Sequence, residues 1–346
     1  MKLFNLMLNS SGIKQGVYRD TGDFMGIPEG CVADLGRCKS GAKHFTPVDN
    51  FLKMLTSQEK NRFYIQRTFA LGDTLMAVPV IRWMEKQGWE VFLRCNGKFS
   101  SLMSKLKVRN TNTVNPTDGE MGLMMDWILE ADHGNSPLSK YHRIEIYFRA
   151  LGADVPRADE LDWSWDPDTF PHNPVTDDGP YVVFVGWGAN NRKQLPVPAI
   201  EAILKSLNAE GIKVYYSGNP PFSWDLPLTV PTSFAWTTAE LFPAIARARA
   251  IITMDTGPLW VAHFTKTPTV NILGPTGSEV HRLSFHPLYP EGAVPIKMNE
   301  WVNCPTCFEN AAACNFKMKC LNSNTERLVS EVKENVMRFW SNSDGC

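Results

Sequence analysis

Residues 63–95 read FYIQRTFALGDTLMAVPVIRWMEKQGWEVFLRC and alternate between segments typical of an α/β protein. The run 63–68 predicts a strand, and 74–87 has apolar residues at helical spacing. Gly88 ends that helix, and 90–95 predicts the next strand. A strand, a helix and a second strand in this order form a β-α-β unit, which implies parallel strands and a right-handed crossover.

The second half of the chain repeats this alternation of short apolar strands and helices. Buried parallel strands are typically short runs rich in β-branched residues. The segments predicted are strands at 181–185, 213–217, 250–254 and 269–273 and helices at 198–210, 238–249 and 325–340. Two doubly wound domains are expected, which fits 346 residues at roughly 150 residues per domain.

The chain divides into five predicted parts. Glycines punctuate its start, where little periodicity is visible beyond one short helix at 48–57. A stretch rich in Pro, Asp and Asn before Tyr181 predicts a linker. The parts are an irregular N-terminal extension at 1–60, a Rossmann-like domain at 61–165, a linker at 166–180, a second Rossmann-like domain at 181–322 and a C-terminal helical segment at 323–346, with a capping box at Ser323 and Glu326.

Composition and charge limit the class of protein. No apolar run reaches the ~18 residues needed to cross a bilayer, and the first ten residues lack the features of a signal peptide. A cytoplasmic location is therefore expected. The net charge is −1, yet residues 51–110 hold eleven Lys and Arg against four Asp and Glu. This basic region suits an acidic partner, such as a phosphorylated glycan or a nucleic acid, and equally a solvated lysine-rich face.

Gly72 and Asp73 follow the first predicted strand, where the next helix begins. Asp is a favoured N-cap residue, because its side chain accepts hydrogen bonds from the first backbone N–H groups of a helix. An Asp in this place can also act as a general base that takes a proton from an attacking hydroxyl. The residues alone leave both interpretations open.

Two loops in the second half have the composition of phosphate-binding turns. The loop 186–193 combines glycines with Lys193, so its backbone N–H groups and the cation can hold a phosphate; an ordinary βα loop is the alternative. Thr256 and Gly257 offer a hydroxyl and backbone donors to a diphosphate, and Asp255 can orient a ribose or a sugar. The alternative for this turn is a capped helix start.

Four of the eight cysteines cluster near the C-terminus. Their spacing is Cys304-x2-Cys307-x6-Cys314-x5-Cys320. Four thiols in one short segment predict a structural zinc site, although the spacing is not that of a standard finger, and free thiols are the alternative.

Taken together, these segments resemble glycosyltransferase family 9, the ADP-heptose:lipopolysaccharide heptosyltransferases. They occur in the family's order between about residues 63 and 335. The matching segments are Leu71 to Ile81, Gly188 to Lys193, Val214 to Gly218, Asp255 to Pro258, Asn271 to Thr276 and Cys304 to Cys307.

The resemblance implies an α/β, GT-B fold of two Rossmann-like doubly wound domains facing a central cleft. The first domain binds the acceptor, and the second binds the nucleotide-sugar donor. Inverting sugar transfer without a metal or other cofactor is implied, with Asp73 and Lys193 as catalytic residues. The donor-binding residues expected are Gly188, Lys193, Gly218, Asp255, Thr256, Gly257, Pro258, Trp260 and His263. The acceptor-binding residues expected are Gly72, Thr74, Arg94 and Lys98.

The chain departs from the family pattern after the Asp255 turn. The family usually has His where this chain has Trp260. A phosphate contact that the family makes is therefore lost, or His263 supplies it from about one turn later; Trp260 can instead stack on a base. The resemblance also implies that the helix 325–340 crosses back to the first domain. The N-terminal extension is not a family feature, so the heptose donor and the lipopolysaccharide acceptor do not follow from the resemblance.

Two further functions are compatible with the sequence. The basic, tryptophan-containing stretch 82–109 suits a glycosyltransferase that acts on a modified nucleic-acid base, which would have to be flipped out of a duplex. A catalytically silent protein that binds a nucleotide sugar or glycan is the alternative from another class. Intact Asp73 and Lys193 favour an enzyme.

Overall fold

A computed structural model describes most of the chain and divides it into two compact units, Met1–Asp162 and Trp163–Cys346. The structure describes residues 2–9, 12–18, 45–47, 62–68, 70–110, 121–125, 142–151, 153–176, 179–188, 193–217, 236–275, 283–303 and 319–341.

The first unit is built on a six-stranded sheet. Its strands are β1 (Lys2–Asn9), β2 (Gly12–Tyr18), β3 (Phe45–Pro47), β4 (Arg62–Arg67), β5 (Glu90–Cys95) and β6 (Met121–Met124), and its helices are α1 (Leu71–Lys86), α2 (Ser100–Lys105) and α3 (Arg143–Leu151). The strand order is β3-β2-β1-β6-β4-β5. Strands β1, β6, β4 and β5 run parallel, whereas β2 pairs antiparallel with β1 and β3.

The interpretation of residues 1–60 as an irregular extension is wrong. Three strands from this segment extend the sheet of the first unit, and β1 pairs directly with β6. Glycines at 12 and 16 in β2 suggested a loop, but the cross-strand hydrogen bonds of an antiparallel hairpin form whatever the side chain. The helix predicted at 48–57 lies outside the described residues.

Helix α1 confirms the predicted β-α-β unit, with β4 and β5 parallel on either side of it in sequence. It is buried on most sides in its middle turns, where Leu75, Val78 and Ile81 have no exposed surface. Pro79 lies inside the helix. Gly88 follows the helix with φ +89°, a left-handed conformation that glycine adopts without strain.

The second unit has a five-stranded sheet in the order β11-β10-β9-β7-β8, and every adjacent pair is parallel. Its strands are β7 (Val182–Val185), β8 (Val214–Tyr216), β9 (Ala250–Met254), β10 (Thr269–Leu273) and β11 (Ala293–Lys297), and its helices are α4 (Val197–Ala209), α5 (Leu241–Ala246), α6 (Gly257–Thr265), α7 (Lys319–Asn322) and α8 (Thr325–Ser341). Strands β7, β9 and β10 are buried along their whole length, as expected of a parallel sheet covered by helices on both faces.

Helix α8 belongs to the second unit, and its expected crossing to the first domain stays a prediction. Leu328, Val332 and Val336 have no exposed surface and lie in one core with Ile203 and Leu207 of α4. The capping prediction also changes, because Asn324 replaces Ser323 as the capping side chain: its Oδ1 accepts a hydrogen bond from the backbone N–H of Arg327 at 3.0 Å.

The segment predicted as a linker is packed on the second unit. The Phe170 ring lies 4.5 Å from the ring of Phe242, and Val175 is 2% exposed. Just before it, Trp163 is 3% exposed and packs edge-on against Phe264. The aromatic and apolar residues of this stretch therefore add to the core, although its many Pro and Asp residues suggested an exposed connection.

Candidate active site

Asp73 lies within α1 and not in the loop before it. The helix begins at Leu71, and Ala70 is its N-cap residue, with φ 50° and no side-chain capping bond. The helix therefore starts three residues before the predicted 74, and the N-cap interpretation of Asp73 is wrong. Asp73 stands in the first turn, where the helix dipole stabilises a negative charge.

Two arginines surround the Asp73 carboxylate. Arg67, at the end of β4, donates from Nη2 to Asp73 Oδ2, and Nε of Arg143 lies 3.8 Å from Asp73 Oδ1. The Arg67 side chain is 1% exposed, whereas Asp73 and Arg143 are each 15% exposed. The hydroxyl of Tyr147 donates to the backbone carbonyl of Asp73 at 3.1 Å.

This arrangement fixes the carboxylate in one position and keeps it charged. Two neighbouring guanidinium groups favour the ionised carboxylate over its protonated form. An ionised, partly exposed carboxylate at the carboxyl end of a parallel strand can accept a proton from a bound hydroxyl. The same two cations make it a weaker base than an isolated carboxylate, so its contribution depends on accurate positioning.

The predicted acceptor residues differ in their exposure. Thr74 has no exposed surface, and its hydroxyl donates to the carbonyl of Ala70 at 3.0 Å. Gly72 is buried inside α1. Neither offers a side-chain group to a ligand, because the helix starts earlier than predicted. Arg94 and Lys98 are exposed, and Arg94 stands near the carboxyl end of β5 opposite Gln66 of β4.

In the second unit, Lys193 and Asp255 form an ion pair. Lys193 follows β7, Asp255 directly follows β9, and these two strands are neighbours in the sheet. Nζ of Lys193 lies 3.2 Å from Oδ2 of Asp255, with the side chains 20% and 5% exposed. The pair sits at the carboxyl end of the sheet, which is where open α/β sheets bind their ligands.

The loops that carry this pair approach each other closely. A Cβ atom added at Gly188 would lie 2.8 Å from Cγ2 of Thr256 and 3.0 Å from the carbonyl oxygen of Lys193. A side chain at this position would have to displace Thr256 and shift the backbone at Lys193 slightly. Thr256 is the N-cap residue of α6, and Gly257 and Pro258 begin the helix. The N–H of Gly257 belongs to a helix N-terminus, which favours anions. Gly218 lies outside the described residues.

Burial removes Trp260 and His263 from the candidate donor contacts. Trp260 is 2% exposed and His263 has no exposed surface. The His263 ring lies 4.6 Å from the Trp260 ring, and its Nδ1 is 2.9 Å from the carbonyl oxygen of Leu259, to which it donates. Neither the stacking of Trp260 on a base nor a phosphate contact from His263 is compatible with these positions.

A second buried histidine lies against this cluster. The rings of His263 and His286 are 4.6 Å apart. His286 Nδ1 accepts from the N–H of Leu288 at 3.1 Å, and Nε2 lies 3.2 Å from the hydroxyl oxygen of Thr269, which itself donates to Thr267. Because Nδ1 accepts a hydrogen bond and Nε2 faces an oxygen that already donates elsewhere, His286 is the neutral tautomer with its proton on Nε2. Burial, and then the neighbouring His263, lowers the pKa of His286 well below its usual value.

We expect the free energy of unfolding to fall as the pH is lowered below about 6.5, where the unfolded histidine takes up a proton that folded His286 does not. The unfolded state then binds more protons, so the loss reaches about 2 kcal/mol by pH 5. Urea unfolding of the parent and the His286→Gln variant at pH 7 and pH 5 measures this loss. Between the two pH values, the free energy of unfolding should fall less in the variant than in the parent. The exposed His172→Gln variant is the control. An unchanged pH dependence in His286→Gln would contradict the assignment.

Of the predicted metal ligands, only Cys320 is among the described residues. It lies in α7 and is 4% exposed. Helix α7 packs against the end of β10, where a Cβ added at Gly274 would lie 2.4 Å from Cδ2 of Leu321. Cys304, Cys307 and Cys314 lie outside the described residues. The described His, Cys, Asp and Glu side chains form no group of three or more that could hold a metal ion.

Arg67, Arg143 and Tyr147 are partners of Asp73 that the sequence did not predict. One signal was available for Arg67: it continues the period-two face of β4 that begins with Phe63 and Ile65, both of which have no exposed surface. A cation on a buried strand face requires an anionic partner. Arg143 and Tyr147 are seventy or more residues away, and no local pattern linked them to Asp73.

The whole chain is similar in fold to solved glycosyltransferases. The iron-containing dodecameric glycosyltransferase TibC from enterotoxigenic E. coli matches it with a TM-score of 0.56 at 13% identity, over 94% of this chain and 82% of TibC. The E. coli ADP-heptose lps heptosyltransferase II matches with a TM-score of 0.53 at 13% identity, over 80% of this chain and 98% of that enzyme. The fold is that of the GT-B glycosyltransferases.

The GT-B fold confirms the predicted α/β class and the resemblance in fold to the heptosyltransferases. At these identities the likeness concerns the fold alone. No protein-family model and no curated protein sequence matches the chain. Among the described helices, none has the length and apolar character to cross a membrane.

Proposed function

We propose that the chain is an inverting, heptosyltransferase-like glycosyltransferase, which moves a sugar from a nucleotide-sugar donor to a hydroxyl of an acidic acceptor. The observation that carries the proposal is the pairing of a GT-B fold with a charged, partly exposed Asp73 fixed by Arg67 and Arg143. A helix start needs no such buried cation, so the arrangement supports a role for the carboxylate beyond helix stability.

The proposed donor site is the carboxyl end of the second sheet. Lys193 there provides a cation, and the start of α6 provides the backbone N–H of Gly257, both of which suit a diphosphate. TibC has been solved with ADP-D-β-D-heptose. A nucleoside diphosphate sugar is the ligand class that fits such a site, with Lys193 as the cation that would contact its phosphates.

In the proposed reaction, Asp73 takes the proton from the acceptor hydroxyl as its oxygen attacks the anomeric carbon. The bond between that carbon and the diphosphate oxygen breaks, and the nucleoside diphosphate leaves with the electron pair. Lys193 and the start of α6 stabilise the charge that develops on the leaving group. These groups need no metal ion for the transfer. Exposed Arg94 and Lys98 would attract the acidic acceptor.

Part of the basic charge in residues 51–110 is neutralised within the first unit. Arg62 pairs with Glu90, Arg109 with Glu85, and Arg82 with Asp162. A nucleic acid is held through many phosphate contacts, so the loss of three cations weakens the case for a nucleic acid more than the case for a glycan with one or two phosphates. Binding of duplex or single-stranded DNA at low salt would reverse this preference.

A screen of nucleotide sugars tests the proposed function. The correct donor at 100 times its Kd should raise the free energy of unfolding by about 2.7 kcal/mol, visible as a thermal shift, with the bare sugar phosphate as control. Incubation with that donor and a phosphorylated glycan should then release nucleoside diphosphate. A thermal shift without any release would identify a silent binding protein, and the absence of a shift with every donor would remove the proposal.

The four clustered cysteines are proposed to hold a structural metal ion. Four thiolates suit zinc and also iron, and the solved TibC is described as iron-containing. Elemental analysis of the purified protein should find about one zinc or iron per chain, and the Cys304→Ser/Cys307→Ser variant should lose it. The Cys95→Ser variant is the control, because Cys95 is not one of the four clustered cysteines. It lies in the first unit, where its thiol accepts a hydrogen bond from Asn110. A metal-free parent protein would contradict the proposal.

A further inference from the structure

The first unit has a groove of about 560 Å³ away from Asp73. Its walls include Trp83 near the end of α1 and Trp89 just before β5, and both indole rings are partly exposed. Leu151 at the end of α3, together with Ala153, Val155 and Pro156, completes the apolar lining. The volume is in the range of sites that bind small molecules or a few peptide residues.

This groove is distinct from the proposed transfer site. Asp73 lies in the first turn of α1, whereas Trp83 and Gln87 lie at its other end. Fourteen residues separate Asp73 from Gln87, which is about 20 Å along a helix at 1.5 Å per residue. A ligand in the groove would therefore not reach the Asp73 carboxylate unless it extended well beyond the groove.

The polar groups of the groove favour a cation. Asp154 and Glu160 are exposed carboxylates in its lining. Neither is within 4 Å of a cationic side chain among the described residues, although the charge of Glu160 helps to raise the pKa of the Arg157 guanidinium, which itself pairs with Asp159. One oxygen of Glu160 accepts a hydrogen bond from the backbone N–H of Arg157 at 2.9 Å, which fixes its side chain. Helices α1 and α3 both end at the groove, and a helix C-terminus carries partial negative charge.

We propose that this groove binds an arginine side chain of a peptide segment, with neighbouring apolar residues of that segment against the apolar lining. Both indoles line the groove, and a guanidinium stacks on aromatic rings more readily than an ammonium does. The carboxylates of Asp154 and Glu160 accept N–H donors, of which a guanidinium has five. A quaternary ammonium would leave these acceptors without donors.

Isothermal titration of the full chain with the peptide acetyl-Leu-Arg-Leu-amide tests this site. The matched peptide with citrulline has nearly the same shape but no charge, so we expect it to bind at least about tenfold more weakly. The Asp154→Asn variant should weaken the arginine peptide about fivefold, on the scale of one charge-assisted hydrogen bond to an exposed group. Asp168→Asn, an exposed carboxylate of the second unit, is the control and should leave the affinity unchanged.

Three outcomes would overturn the proposal. Equal affinity for the arginine and citrulline peptides would remove the cation requirement, and unchanged affinity in Asp154→Asn would place the binding elsewhere. Choline binding as tightly as the arginine peptide would identify a quaternary-ammonium site instead. The titration uses no nucleotide sugar, so its result is independent of whether the proposed transfer reaction is correct.

Discussion

Replacing Asp73 by Asn is expected to lower the turnover number of sugar transfer about 10³-fold, since an amide cannot take the proton from the acceptor hydroxyl. The dissociation constant of the nucleotide sugar should change little, because the proposed donor contacts lie in the second unit. The same variant should lose about 3 kcal/mol of folding stability, because it removes the carboxylate that neutralises Arg67, which is 1% exposed. Turnover is measured by nucleoside diphosphate release, and stability by urea unfolding.

A second substitution separates catalysis from folding. In the Arg67→Met/Asp73→Asn double variant the buried cation is gone, so we expect much of the lost stability to return. Transfer should remain absent. Recovery of turnover together with stability would show that Asp73 is only a structural partner of Arg67, and the assignment of the general base would then fail.

The Lys193→Met substitution is expected to lower kcat/KM for the donor about 100-fold. The cation that would stabilise the departing diphosphate is lost, and Asp255, which is 5% exposed, loses its ion-pair partner. Donor titration and initial-rate kinetics measure the effect. Lys193→Arg keeps the charge and should recover part of the activity. The exposed Lys205→Met variant on α4 should behave as the parent does; a parent-like Lys193→Met would exclude the proposed phosphate contact.

Most of the parallel α/β framework could be predicted because its signals are local. The strands at 90–95, 250–254 and 269–273 have the predicted bounds, since each is a short apolar run ended by a turn residue. Strand β6, with the sequence Met-Gly-Leu-Met, was missed because four residues give no periodic signal. The strands β1, β2 and β3 were not predicted, because hydrogen bonds to neighbouring strands stabilise them and their composition gives no clear strand signal.

The candidate site was predicted only where a residue follows a strand directly. Asp255 comes immediately after β9, so the topology places it at the sheet's carboxyl end without further information. Trp260 and His263 follow a few residues later, where the turns of α6 determine which side chains face the core. Their burial depends on Trp163, about a hundred residues earlier in the chain, whose ring lies 5.0 Å from that of His263.

Helix α8 contributes its apolar residues to the core of the second unit, so this unit contains the described residues of its own core. The buried side of the helix packs against α4 and the parallel sheet of the same unit. A recombinant fragment starting at Trp163 would therefore retain every described residue of that core, and isotope labelling of so short a fragment would make donor titration accessible to NMR spectroscopy. Truncation before Thr325, by contrast, would uncover the apolar surface of α4 and favour aggregation.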